Sequence, residues 1–295
     1  MKPLLACLLL VVVNAMAQTG PAYGDVAYGP HERHRLDLWH PANAEVTPLV
    51  IFIHGGGWAG GDKADVPKDL LASLLSKGIS VASINYRYTK IAILPGPVHD
   101  AAHAVQFLRG KAAGWKLDPK RFGAYGISAG GCSTLWLACH DDLADPRSSD
   151  PVARESSRLQ AAVAMSPQTC LEPDTVVSWV GEQVLKHAMI ARAVGAKKLE
   201  EMRKPSAEWN KLLHEFSPIT HVSKDDPPML LSYPRVDPLP ATTPGSAIHH
   251  ALFGTKLQEK VTAAGGTCIL RIEDQASASS LPTPTAFLLN HLLPR

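Results

Sequence analysis

Ser128 stands between two glycines in the run "GISAGG", Gly126 to Gly131. An apolar strand pattern, "RFGAYGIS", enters the run and a helical pattern, Ala129 to Cys139, leaves it. G-x-S-x-G between a strand and a helix presents a serine hydroxyl on a sharp, strained turn. A hydroxyl in that position attacks acyl carbonyls once a neighbouring base takes its proton. A second run, "HGGGW" from His54 to Trp58, follows another buried strand pattern. Its glycines leave the backbone free to turn peptide N–H groups toward the negative oxygen of a tetrahedral intermediate. His54 precedes this turn and reads as structural, not as the general base.

These two runs need a frame that brings them together. After two early strands, "DVAYG" and "HRLDLWHP", the chain alternates apolar strand patterns with helical ones. "PLVIFIH" is a continuous apolar run, as expected of a strand covered on both faces. Strands also fit "ISVASINYRY", "LQAAVAMSP", "PPMLLSYP" and "TCILRIED". Helices fit about 66–77, 98–113, 245–264 and 283–293. The alternation predicts an α/β fold with a mostly parallel central sheet flanked by helices. Between about 171 and 216 no strand pattern interrupts an amphipathic helical stretch, which we assign as a cap insertion. Ligands in such sheets bind beyond the carboxyl ends of the strands, where each of the chemical motifs falls.

The segments "DVAYG", "LDLWHP", "HGGGW", "NYRY", "DPKRFGAYGISAGG" and "SPITHV" with "PPMLL" cover most of the chain in order. In these the chain resembles α/β-hydrolases of the BD-FAE-like and hormone-sensitive-lipase-like esterase group. The resemblance implies Ser128 as nucleophile. It implies oxyanion donors in the backbone N–H groups of Gly55, Gly56 and Ala129, and structural supports in Tyr86, Arg87, Asp100 and the Asp118-Pro119 pair. It also implies an acid just beyond the strand after the cap, where Asp237 falls with Tyr233-Pro234 in place of the family's His-Gly.

The triad order of Ser, then Asp, then His puts a histidine after the last strand, near Ser277. The chain reads "QASASS" there. A serine hydroxyl is not basic at neutral pH, so it does not replace the imidazole. His249 and His250 are the best placed of the remaining histidines, and His250 is assigned as the base. His187 and His214 fall in the cap, His221 in "SPITHV" and His291 in the terminal helix.

The 295 residues are 45% apolar and 19% charged, with a net charge of +2, which gives no surface for nucleic acid. "MKPLLACLLLVVVNAMAQ" has the build of a secretory signal peptide over 1–17, with cleavage after Ala17. Its apolar stretch is too short for a permanent membrane span. The mature domain is then 18–295, secreted or periplasmic. Cys132, Cys139, Cys170 and Cys268 remain after cleavage, read either as buried small residues or as disulfide partners. Cys132 and Cys139 lie about two helical turns apart, too far for a bridge. No Cys/His spacing resembles a zinc site, and neither metal nor organic cofactor is implied. The primary reading is a serine hydrolase acting on small acyl esters, including polysaccharide-linked ones, with its oligomeric state open. The alternative is a hydrolase-fold protein that binds a ligand or partner without turning it over.

Overall fold

The computed structural model describes residues 20–42 and 45–294, so the expected signal peptide lies outside the described residues. Eight strands form one sheet: β1 (Tyr23–Ala27), β2 (Arg35–Trp39), β3 (Thr47–Ile53), β4 (Ser80–Ile84), β5 (Leu117–Ile127), β6 (Ala161–Met165), β7 (Met229–Tyr233) and β8 (Cys268–Ile272). Their spatial order is β1-β2-β4-β3-β5-β6-β7-β8. β1 and β2 pair antiparallel at one edge, and every pairing from β4 to β8 is parallel. This is the mostly parallel, helix-flanked sheet that the alternation predicts, and the α/β-hydrolase architecture that the resemblance implies.

The helices are α1 (Lys68–Ser76), α2 (Gly96–Gly110), α3 (Ala129–Cys139), α4 (Pro173–Val180), α5 (Ala188–Ala193), α6 (Ala207–Glu215), α7 (Pro244–Ile248), α8 (Leu252–Ala263) and α9 (Pro284–Leu292). Successive residues of β3 point to opposite faces, and the two faces have separate cores. Leu49, Ile51 and Ile53 pack with α2, α3 and α8, while Val50 and Phe52 pack with α1 and α9. β3 is buried at all seven positions, which is why its sequence is continuously apolar instead of alternating.

Two sequence expectations change in detail. No strand interrupts the stretch between β6 and β7 among the described residues, but its helix comes in short pieces, α4, α5 and α6, with 3-10 turns and loop segments between them. The single helix expected over about 245–264 is two helices, broken at His249–Ala251. A capping box from Thr243 to Ser246 starts α7, and the chain turns after one and a half turns. All four described cysteines are buried free thiols, and burial pushes Cys170 and Cys268 up to about 12.

A buried ion cluster fixes the loop that leaves β4. Asp100 on α2 accepts from the Arg87 backbone N–H at 2.9 Å and from its guanidinium at 2.6 Å and 2.8 Å. His34 Nε2 stands 3.1 Å from the same carboxylate. Burial alone raises a carboxyl, but hydrogen bonds from His34 and Arg87 outweigh it and hold Asp100 down at about 2. A depressed carboxyl stabilises the fold fully above its ordinary value near 4 and loses that contribution as pH falls toward 2. Replacing Asp100 by Ala leaves Arg87 without its partner and is expected to cost about 3 kcal/mol at pH 7. Urea denaturation at pH 7 and at pH 3 measures this, and the gap between wild type and variant shrinks at the lower pH.

Candidate active site

β5 delivers Ser128 to the carboxyl edge of the sheet and α3 starts immediately after it. Ser128 has φ 53° and ψ −119°, a conformation that costs a non-glycine residue about 1–3 kcal/mol. The turn closes only because Gly130 lacks a side chain: a Cβ there meets the carbonyl oxygens of Ile53 and His54 at the end of β3. The turn after the serine therefore packs directly on the backbone that leads into the glycine run.

The glycine turn lies alongside the serine. A methyl group placed on Gly55 comes within 3.4 Å of Ser128 Cβ. Gly56 has φ +94°, and a side chain on it strikes the Gly60 carbonyl. Among the described residues, no backbone carbonyl receives the N–H of Gly55, Gly56 or Ala129. These N–H groups have no backbone acceptor, so they are free to donate to another group.

The turn is braced from behind. Tyr86, on the loop after β4, donates to the carbonyls of His54 at 2.9 Å and Gly55 at 3.0 Å. Its ring stacks on His54 with centroids 4.2 Å apart. Trp58 is fully buried and its indole N–H donates to Ser133 on α3 at 3.0 Å. His54 donates from Nδ1 to the Gly55 carbonyl at 2.9 Å, and burial pulls it down to about 4. It is neutral and turned away from the chemistry.

The histidine that meets Ser128 is His249. Its Nε2 lies 2.9 Å from Ser128 Oγ, and its Nδ1 lies 3.1 Å from the Gly245 carbonyl. A carbonyl only accepts, so Nδ1 carries the ring proton and Nε2 presents its lone pair to the serine. Burial lowers the His249 pKa, and the hydrogen bond to Gly245 works weakly in the opposite direction. The imidazole is therefore neutral at pH 7, the form a general base must have.

His250, assigned from the sequence, is elsewhere. It is buried, its Nε2 donates to the Asp237 backbone carbonyl at 2.8 Å, and its Nδ1 accepts the Leu252 N–H at 3.0 Å. Both ring nitrogens are engaged, which leaves nothing for Ser128. Neighbouring residues at a helix end point about 100° apart, so only one of two adjacent histidines faces the serine.

Asp237 does not meet the imidazole either: its carboxylate pairs with Arg235 at 3.1 Å. The acceptor behind His249 is the Gly245 carbonyl, four residues earlier in the chain. The other histidines are accounted for separately. His187 caps α5 and sits edge-on to His249, with ring centroids 6.2 Å apart. His214 pairs with Glu172 and His291 lies against Phe287.

The loop after β6 holds the broken helix in place. Gln168 is fully buried and its Nε2 donates to the Ile248 carbonyl at 2.8 Å. Thr169 donates to the Phe253 carbonyl at 2.8 Å, on the other side of the break. The segment expected to hold a histidine instead forms a 3-10 turn, Ala276–Ser280. Arg271 pins it by donating to the carbonyls of Ala278 and Leu281.

The BD-FAE family model matches residues 36–252 of this chain. Among curated proteins, the chain is 27% identical over 220 residues to a probable carboxylic ester hydrolase, LipM, of Mycobacterium tuberculosis, covering 73% of this chain and 48% of that protein. It is 30% identical over 134 residues to isoprenylcysteine alpha-carbonyl methylesterase ICME of Arabidopsis thaliana, covering 43% and 31%. The chain thus spans about half or less of the length of these relatives. The fold is shared with an acetyl ester-xyloside bifunctional hydrolase from Caldicellulosiruptor lactoaceticus, with TM-score 0.69, 20% identity and coverage of 92% and 95%. A truncated carbohydrate esterase from gut microbiota gives TM-score 0.68 at 24% identity, covering 85% and 89%.

Gln168 positions His249 through the Ile248 carbonyl and touches neither reacting group. Gln168→Leu removes that donor and leaves a buried carbonyl unpaired. The rate at which a fluorophosphonate probe labels Ser128 is expected to fall about tenfold, the size of a small misplacement of the base. Time-resolved labelling of folded variant and wild type checks this.

Proposed function

Since the chain belongs to the BD-FAE family, we propose that it is a carboxylic ester hydrolase working through Ser128 and His249, with a backbone carbonyl where a triad carboxylate is expected. The 2.9 Å contact between Ser128 Oγ and His249 Nε2 carries this reading. The curated relatives named as ester hydrolases support the reaction class. Export through the N-terminal leader is part of the same proposal.

The hydroxyl gives its proton to His249 Nε2 as Oγ bonds to the ester carbonyl carbon. The carbonyl electron pair moves onto oxygen, where the N–H groups of Gly55, Gly56 and Ala129 receive the charge. When the tetrahedral intermediate collapses, its carbon–oxygen bond to the alcohol breaks and Nε2 returns the proton to the leaving oxygen. Water then attacks the acyl-enzyme with His249 as base again, and the acid is released from Ser128. Through both halves Nδ1 keeps its proton on the Gly245 carbonyl.

The carbonyl supplies part of what a carboxylate supplies. In a triad, an amide that reverses the ring's tautomer costs about 10⁴ in turnover. Gly245 enforces the correct tautomer but offers a dipole in place of a full negative charge to the imidazolium. The acyl group is small in this proposal. Polysaccharide-linked acyl groups are the substrates proposed for it.

Steady-state hydrolysis of p-nitrophenyl acetate, with the octanoate as a slower long-chain control, tests the reading. Ser128→Ala and His249→Ala are each expected to lower kcat by about 10⁴ or more. Asp237→Ala is expected to stay within tenfold of wild type. Loss of turnover in Asp237→Ala with His249→Ala unaffected overturns the assignment, and no turnover by folded wild type leaves the ligand-binding alternative. Because His249 acts as the neutral base and its pKa is lowered, kcat/KM should hold down to below pH 6.5 and fall only as the ring protonates.

A further inference from the structure

At the end of α3 remote from Ser128, three side chains converge that the ester chemistry does not use. His140 caps α3, Glu215 ends α6 at the exit of the insertion, and His221 closes the turn Pro218–Thr220. With about 1.5 Å of rise per residue along α3, the cluster stands about 18 Å along the helix axis from the nucleophile. One ligand atom from each residue lies within 4.8 Å of the others. Glu215 Oε1 is 3.3 Å from His140 Nε2 and 3.7 Å from His221 Nε2.

We infer that His140, Glu215 and His221 form a site for a divalent transition ion of the zinc type. Zinc bonds of about 2.0–2.1 Å in tetrahedral geometry space their donor atoms about 3.3 Å apart, close to the two separations present. The His140 ring is already oriented for the role. Its Nδ1 donates to the Asp141 carbonyl at 2.9 Å, so Nε2 turns a lone pair into the cluster. Metal-ligating histidines fix their tautomer with this kind of outer hydrogen bond. Trp136 stacks on the same ring at 4.1 Å and holds its plane.

His221 needs one adjustment. Its Nε2 donates to the Glu215 backbone carbonyl at 2.5 Å, so ion binding moves that proton to Nδ1 and frees a lone pair. Two imidazole nitrogens select a borderline ion over magnesium or calcium, which take oxygen ligands. The neighbouring cation, Arg158, is occupied by the carbonyls of His140 and Asp225. Both histidines are largely covered while the Glu215 side chain is 45% exposed, which leaves the cluster open on its carboxylate side. No local Cys/His spacing announces the site, because its residues come from three separate elements. An ion here ties the exit of the insertion to the nucleophile helix.

The test uses tag-free, chelator-treated full-length protein titrated with zinc chloride by calorimetry, with thermal unfolding alongside. The expected result is one ion per chain and a Tm raised by about 5 °C at a hundredfold excess over Kd. His140→Gln, His221→Gln and Glu215→Gln should each weaken binding at least tenfold, with circular dichroism confirming that each variant is folded. His249→Ala should leave it unchanged. Absence of heat with folded wild type overturns the proposal, as does binding that survives all three glutamine variants. Binding lost in His249→Ala also overturns it, since that places the ion on the His187–His249 pair. None of these readouts depends on ester turnover.

Discussion

The neutral imidazole of His249 has one proton, and the Gly245 carbonyl decides which nitrogen carries it. A base with its proton on Nε2 would face Ser128 as a donor and leave the hydroxyl as inert as any other. The 3.1 Å contact from Nδ1 to Gly245 removes that state, and the 2.9 Å contact on the other side follows from it. Everything else at the sheet edge serves this geometry. Burial keeps the ring neutral, the form in which it can accept a proton.

Parallel strands bring the parts together without long connections. β3, β5 and β6 end side by side, so the glycine turn, the strained serine and Gln168 emerge along one edge of the sheet. Each part is held by a neighbour's exit loop instead of by its own strand. Tyr86 from the β4 exit braces the glycine turn, and Gln168 from the β6 exit grips the carbonyl next to His249. The Asp100 cluster holds the β4 exit in turn. Most of these contacts end on backbone carbonyls, which side-chain identity alone does not announce.

The fold and the strand–serine–helix turn were legible in the sequence for a physical reason. Apolar runs such as "PLVIFIH" report burial on both faces, and glycines around Ser128 report a turn that admits no side chain. Both are local signals. Which histidine meets Ser128 is a different kind of fact. His249 and His250 are adjacent and chemically identical, and choosing between them requires knowing where α7 stops. That break depends on Gln168 and Thr169, distant in sequence, holding both sides of it. Asp237 was placed by analogy with a carboxylate, whereas the acceptor here is a main-chain oxygen that every residue possesses.

His249 and its acceptor are separated by a single turn of one short helix. A conventional arrangement recruits its imidazole and its carboxylate from two loops that fold independently and must both stay in register. Here the pair moves as one rigid piece, so jostling of that piece changes its distance to the serine without disturbing the ring's internal orientation. Under the proposed mechanism it also relieves the segment after β8 of any duty in proton transfer. Arg271 ties Ala276–Ser280 into a short 3-10 turn there, and under that mechanism substitutions along the turn leave the Ser128–His249 pair untouched.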